Sequence, residues 1–250
     1  MKLEMLTEFL DQELRVAEIS DSSVNGLQVA NTGEINKIAL AVDASQAAFE
    51  KAREERADML IVHHGLLWEK PVPLTGLMYE RVKTLIQNDI CLYAAHLPLD
   101  LHPELGNNAQ ITQLMNWPEA EDFGEYHGSV IGKAVTLNKE MDVEDLIRLL
   151  KEKLDTPLTA WTFGSRNVRK LGIVSGGGLG MLQEAVDGKF DVFITGEPGH
   201  SHYWTAREAG IHVIFGGHYA TETLGVKAVG RLLEKKWGME TVFIDLPTGL

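Results

Sequence analysis

Cysteine is almost missing from this chain. Cys91 is the one thiol among 250 residues, so no internal disulfide framework can staple the fold, and a reducing compartment suits it. Long hydrophobic runs are missing as well: nothing approaches the roughly 20 apolar residues that span a bilayer. The opening Met1-Lys2-Leu3-Glu4-Met5-Leu6 lacks the apolar core and small-residue cleavage site of a signal peptide. Cytoplasm is therefore the expected location, with no membrane partner. Basic residues are in deficit, 23 Lys and Arg against 36 Asp and Glu, for a net charge of −13. A field of that sign opposes non-specific binding to nucleic acid, which is not an expected partner, and it favours solubility. What remains is a globular composition, 44% hydrophobic, long enough to bury a substantial core.

Short apolar runs alternate with amphipathic segments. Residues 1–14 carry Leu3, Leu6, Phe9 and Leu10 at helical spacing. The runs 38–42, 59–62 and 91–95 read as strands buried on both faces, with helices over 45–56 and 78–88 between them. The second half repeats the pattern in 171–174, 192–195 and 213–215. The repeat can be aligned: Asp58 to His64 over Asp191 to Glu197, and His96 to Asp100 over His218 to Glu222. The expected fold class is α/β, a duplicated α/β unit with a mostly parallel sheet flanked by helices. The expected division is 1–125 and 126–250; the last strand, 241–247, is a candidate to pair with the first unit. Segment 102–125, holding Pro103, Gly106, Pro118 and the acids Glu119 to Glu125, is the best boundary. Strands near 128–136 and 157–163 flank a helix near 143–153.

The chemistry-bearing residues fall at strand ends. His63-His64 follow the run 59–62; His96 follows 91–95, with Asp100 four residues on; His218 follows 213–215, with Glu222 four residues on. In open α/β sheets ligands bind beyond the carboxyl ends of the strands. Imidazoles with carboxylates and no thiolate suit Zn, Fe, Mn, Ni or Co in a catalytic rather than a structural site. His63, His64, Asp100, His218 and Glu222 exceed the needs of one open ion and match two. Each residue also has a plainer reading. A His-His pair is commonly polar loop, Asp100 fits a helix cap, and Glu222 fits a helix N-terminus. Convergence of three strand ends favours the metal. His96 and Glu197 are candidate catalytic residues, as proton carriers or as partners of the ligands, and a buried hydrogen-bonded acid is an equal reading for Glu197. His200 and His202 read as surface residues, and His102, His127 and His212 have no supporting context. Ser175-Gly176-Gly177-Gly178-Leu179-Gly180 either cradles a phosphate or makes a tight turn; it lacks the Lys-Ser/Thr of a P-loop. Cys91 reads as core.

Asn25-Gly26-Leu27-Gln28-Val29, Val62-His63-His64-Gly65, Ala95-His96-Leu97-Pro98-Leu99-Asp100, Gly106-Asn107-Asn108-Ala109, Ser175-Gly176-Gly177-Gly178, Thr195-Gly196-Glu197 and Gly217-His218-Tyr219-Ala220-Thr221-Glu222 occur in this order. As an ordered set they resemble the NIF-three-like family of dinuclear metal proteins, whose members carry the label GTP cyclohydrolase 1 type 2 homologue. The resemblance runs from about residue 20 to the C-terminus. It implies two divalent ions per chain (Zn, Fe, Mn or Ni) on His63, His64, Asp100, His218 and Glu222, with Glu222 bridging. It also implies two intertwined, duplicated α/β units, each with a mixed, mostly parallel sheet and with no inserted middle domain between them, in a toroidal homohexamer, a trimer of dimers. For activity it implies a metal-dependent hydrolase: activated water attacks C8 of the guanine in GTP or a related small substrate, and formate leaves. The competing expectations are a non-catalytic metal-binding, storage or chaperone protein, and a ring-shaped scaffold.

Overall fold

In the computed structural model, which describes residues 1–126 and 128–250, the chain divides into two compact units. Unit 1 comprises Met1–Leu105 and Gly225–Leu246; unit 2 comprises Gly106–Leu224 and Pro247–Leu250. His127 lies outside the described residues.

The strands of unit 1 are β1 (Gly26–Val29), β2 (Lys37–Asp43), β3 (Met59–His64) and β4 (Cys91–Ala94), and the C-terminal Glu240–Phe243 closes the same sheet. The order is β1-β4-β3-β2 with Glu240–Phe243 outermost; β1 is antiparallel to β4 and the other pairs are parallel. Helices α1 (Leu3–Glu13), α2 (Gln46–Glu54), α3 (Gly76–Gln87) and the short α4 (Leu97–Asp100) complete its N-terminal part. Both faces of the sheet are covered. Ile38, Leu40, Met59, Ile61, Cys91 and Tyr93 pack with Leu3, Leu6 and Leu10 of α1. Their neighbours Ala39, Ala41, Leu60, Val62, Leu92 and Ala94 pack with Ala48, Phe49 and Ala52 of α2 and Leu85 of α3. Side chains alternate along a strand, so two apolar faces require the unbroken apolar runs seen in the sequence.

Unit 2 starts with α5 (Asn107–Leu114) and has a sheet of β5 (Glu121–Tyr126), β6 (Ser129–Asp142), β7 (Thr159–Trp161), β8 (Asn167–Val174), β9 (Val192–Thr195) and β10 (His212–Phe215). The order is β5-β6-β8-β9-β10-β7, with β8-β9-β10 parallel and the outer pairings antiparallel. Val143, Leu146 and Leu150 of α6 (Val143–Leu154) and Ile111 of α5 pack on Leu171, Ile173, Val192, Ile194 and Ile214. Two short helices, α7 (Leu182–Asp187) and α8 (Tyr203–Ala209), join the parallel strands. The long α9 (His218–Trp237) begins in unit 2 and ends in unit 1, where Val226, Val229 and Leu233 enter the core. The acidic stretch that reads as a boundary in the sequence is the edge strand β5. Its charges sit on an exposed ladder, where polar residues discourage pairing with other chains.

One device recurs in both units. Asp58, just before β3, accepts hydrogen bonds on Oδ2 from the amides of Asn36 (2.7 Å) and Lys37 (3.1 Å). Asp191, just before β9, accepts on Oδ2 from the amides of Arg169 and Lys170, both at 2.8 Å. Each aspartate thereby sets the register of a central strand against the start of its parallel neighbour. Among the described residues no helix is long and apolar enough to cross a membrane.

Burial pushes the Cys91 thiol up to about 12. Native protein at pH 8 is expected to react with a thiol reagent at least about a hundredfold more slowly than unfolded protein, which titrates a single thiol. A fast native thiol would contradict the packing of β4.

Candidate metal centre

In unit 1 the carboxyl ends of three parallel strands deliver the polar groups. Pairing of β2 with β3 sets Asp43 opposite His64, and pairing of β3 with β4 carries Ala95 and His96 to the same end of the sheet. The imidazoles of His63 and His64 lie 4.7 Å apart between centroids, those of His63 and His96 5.1 Å, and those of His64 and His96 5.6 Å. Each of the three offers a ring nitrogen within 4.8 Å of the other two.

What orients the rings is the second nitrogen. His63 Nδ1 lies 2.9 Å from the Ala95 carbonyl oxygen. A carbonyl only accepts, so Nδ1 carries the proton and the lone pair is on Nε2. His64 Nδ1 is held by Asp43 Oδ1 at 2.8 Å, and His96 Nδ1 by both oxygens of Asp21 at 3.0 Å. An acceptor behind one imidazole nitrogen is the usual companion of a metal ligand: it fixes the tautomer and raises the basicity of the other nitrogen. Asp100, buried at the end of α4, brings Oδ2 to 3.5 Å from His63 Nε2. Two electron-rich atoms facing each other at that distance call for a proton or a cation, so the donor set fits a divalent ion.

Asp21 and Asn25 hold His96 in place. Burial works to raise the Asp21 pKa, but hydrogen bonds from His96, Asn25 and the Ser23 amide outweigh it and keep the carboxylate well below its ordinary range. Asn25 Oδ1 accepts from the His96 amide at 2.7 Å, and Asp21 Oδ2 accepts from the Leu97 amide at 3.0 Å. Neither Asp21 nor Asp43 stands out in the sequence as a site residue. Asp43 had a faint signal, as the polar end of a buried strand. Asp21 had none beyond the turn chemistry of Asp21-Ser22-Ser23.

In unit 2, His218 and Glu222 open α9, four residues apart and hence on one face. His218 Nε2 is 3.2 Å from Glu222 Oε1, and Nδ1 is 3.1 Å from Glu197 Oε2. Hydrogen bonding to Glu222, then its charge and Glu197, overcome desolvation and push the His218 pKa up to about 9. Glu222 is buried; Glu197 is half exposed. Loops at the strand ends are stitched together: the Gly196 amide donates to the Gly176 carbonyl and the Gly217 amide to the Gly196 carbonyl, both at 2.9 Å. The Gly176 amide donates to Thr221 Oγ1 at 3.0 Å and the Ser175 amide to Asn108 Oδ1 at 2.8 Å. These two amides of the glycine-rich loop are thus spent inside the protein.

Among the described residues, His102, His200, His202 and His212 fall in neither group. His212 Nε2 meets the Ser165 carbonyl at 2.7 Å as a buried structural residue, and His102 lies 3.8 Å from Glu13. His200 is exposed, and His202 pairs with Ser201 at 3.0 Å.

Gly176 has φ +60°, and a Cβ there would sit 2.0 Å from Glu222 Oε1. Gly176→Ala is expected to destabilise the protein by about 1–3 kcal/mol, because the strain and the displaced carboxylate coincide. Thermal unfolding of the variant would check this; a midpoint matching the wild type would refute it.

A family model, Duf34/NIF3 (NGG1p interacting factor 3), matches residues 1–249. A protein of Pyrococcus horikoshii named GTP cyclohydrolase 1 type 2 homolog is 45% identical over 251 residues, covering 100% of both chains. One of the same name from Deinococcus radiodurans is 41% identical over 98% of this chain and 93% of its own. Among solved structures, TTHA1606 from Thermus thermophilus has a TM-score of 0.91 at 40% identity, covering 100% of both chains. Reduced HcgD from Methanocaldococcus jannaschii has a TM-score of 0.87 at 27% identity, covering 98% of both. With the match extending over nearly its whole length, the chain belongs to the Duf34/NIF3 family.

Proposed function

We propose that this chain holds two divalent metal ions through His63, His64, Asp100, His218 and Glu222 and hydrolyses a purine nucleotide or a related small substrate. The observation that carries the reading is the anchoring of the imidazoles. His63, His64 and His96 are each tied through Nδ1 to a fixed acceptor, which puts the proton on Nδ1 and the lone pair on Nε2. The ligand types suit Zn, Fe, Mn or Ni. When bound, such ions lower the pKa of water and take up charge developing on a substrate oxygen.

The chain's own residues supply orientation and proton handling. Asp43 and the Ala95 carbonyl hold the rings of His64 and His63. His96, with Nδ1 on Asp21, has Nε2 left for taking up or giving a proton. Glu197, half exposed and bonded to His218 Nδ1, is the second candidate. The substrate class rests on the name GTP cyclohydrolase 1 type 2 homolog carried by relatives that match the full chain.

Metal content per chain and formate release from GTP test the reading together. Wild type is expected to carry about two ions, and Glu222→Ala or Asp100→Ala to lose at least one and to slow turnover by about a hundredfold or more. Turnover unchanged in both variants would remove the catalytic role of the pair.

We further propose a homo-oligomer, with a hexamer as the expected state. Val72, Leu74, Leu77, Tyr79 and Ile86, on α3 and the segment before it, are exposed apolar side chains of the kind a self-association surface covers. Light scattering is expected to give a mass of about six chains, and Leu77→Glu with Ile86→Glu to reduce it. A monomeric wild type would refute the assembly.

A further inference from the structure

Trp68 is the large side chain that the site leaves without an assignment. It follows the His63-His64-Gly65 turn and keeps 36% of its surface exposed. An exposed indole is ordinary when it is loosely held, but this one is fixed. Its Nε1–H donates to the Gly65 carbonyl at 3.1 Å. Its backbone bridges Ser23, the Val24 amide donates to the Leu67 carbonyl at 3.0 Å, and the Glu69 amide donates to the Ser22 carbonyl at 2.7 Å. Gln28 Oε1 accepts from the amides of Leu66 (2.7 Å) and Leu67 (3.1 Å), pinning the turn from beneath.

The ring is fixed beside the imidazoles. Its centroid lies 5.2 Å from that of His96 at 69°, and 6.4 Å from that of His64 at 36°. With the N–H already donated, the indole has no polar group left to offer. What it still presents is apolar π surface, rigid and next to the polar cluster. Such a surface is suited to a planar ring, because every heteroaromatic base has a π face to stack on it.

We propose that Trp68 is a positioning residue that stacks on the base of a purine nucleotide and sets it beside the His63, His64 and His96 imidazoles. The inference rests on the substrate class given under the proposed function, and GTP is the probe. The metal-loaded full chain is titrated with GTP by calorimetry, as wild type, Trp68→Phe and Trp68→Leu, with formate release and metal content measured on the same samples. Trp68→Leu is expected to weaken GTP binding by about tenfold or more, and Trp68→Phe, which keeps a π face, by no more than about threefold. Metal content is expected to match wild type in both variants.

Equal binding by wild type and Trp68→Leu would overturn the proposal, as would a wild type that shows no saturable GTP binding. A fall in metal content in both variants, with no rescue by phenylalanine, would make Trp68 a structural support and overturn it too. The two readings fail separately. Weakened binding in Trp68→Leu without any formate release upholds Trp68 and removes the hydrolase. Formate release with the same KM in wild type and Trp68→Leu does the reverse.

Discussion

The candidate site depends on what stands behind each imidazole. A histidine ring has two nitrogens, and a ring free to turn presents either one. Here His63 is tied to a main-chain carbonyl, His64 to the last residue of the adjacent strand, and His96 to a buried carboxylate. Every tie uses Nδ1, so three rings from two strand ends present Nε2 in a fixed direction. Register supplies the precision. Asp43 lies opposite His64 in the β2–β3 ladder, and that ladder is held by apolar packing on both faces. A slip of one residue would turn the histidine to the other face and separate it from its partner.

Unit 2 meets a related requirement with different residues. The helix-start pair His218 and Glu222 has the spacing of His96 and Asp100, and in both units the first histidine gives Nδ1 to an acid from elsewhere in the unit, Asp21 or Glu197. The acids differ in setting. Asp21 is buried under main-chain amides, whereas Glu197 is half exposed. Backbone is packed densely around the second pair, and Gly176 owes its lack of a side chain to the Glu222 carboxylate close above it. The duplicated aspartates Asp58 and Asp191 show the same economy at the opposite ends of the strands.

Much of the architecture was legible in the residues. The parallel strands β2, β3, β4, β8, β9 and β10 each contain a short unbroken apolar run (in β8 only its second half, 171–174) because both faces are covered there, and that pattern survives in one dimension. The ligand candidates were legible because each follows such a run. Other parts were not. Strand β5 is rich in acids, since an edge strand carries its charges on an exposed ladder, and its composition reads as loop. Helix α5 is nearly featureless in pattern because Asn107 and Asn108 face inward; Asn108 ties the Ser175 amide to the Ile131 carbonyl. Helix α9 looks like one element of the second half, yet its later turns belong to the core of unit 1.

The sequence by itself determined which chemistry is available: imidazoles and carboxylates without thiolates, placed one by one after buried strands, with local spacing enough to put His218 and Glu222 on one helical face. Tertiary structure decided how those groups are aimed. Asp21 and His96 are 75 residues apart, His64 and Asp43 are 21, and the Trp68 turn is held by residues near Ser23. Such pairings are set by strand order and register. Those arise from burying two sheet faces at once and leave no mark on the spacing of the residues they join.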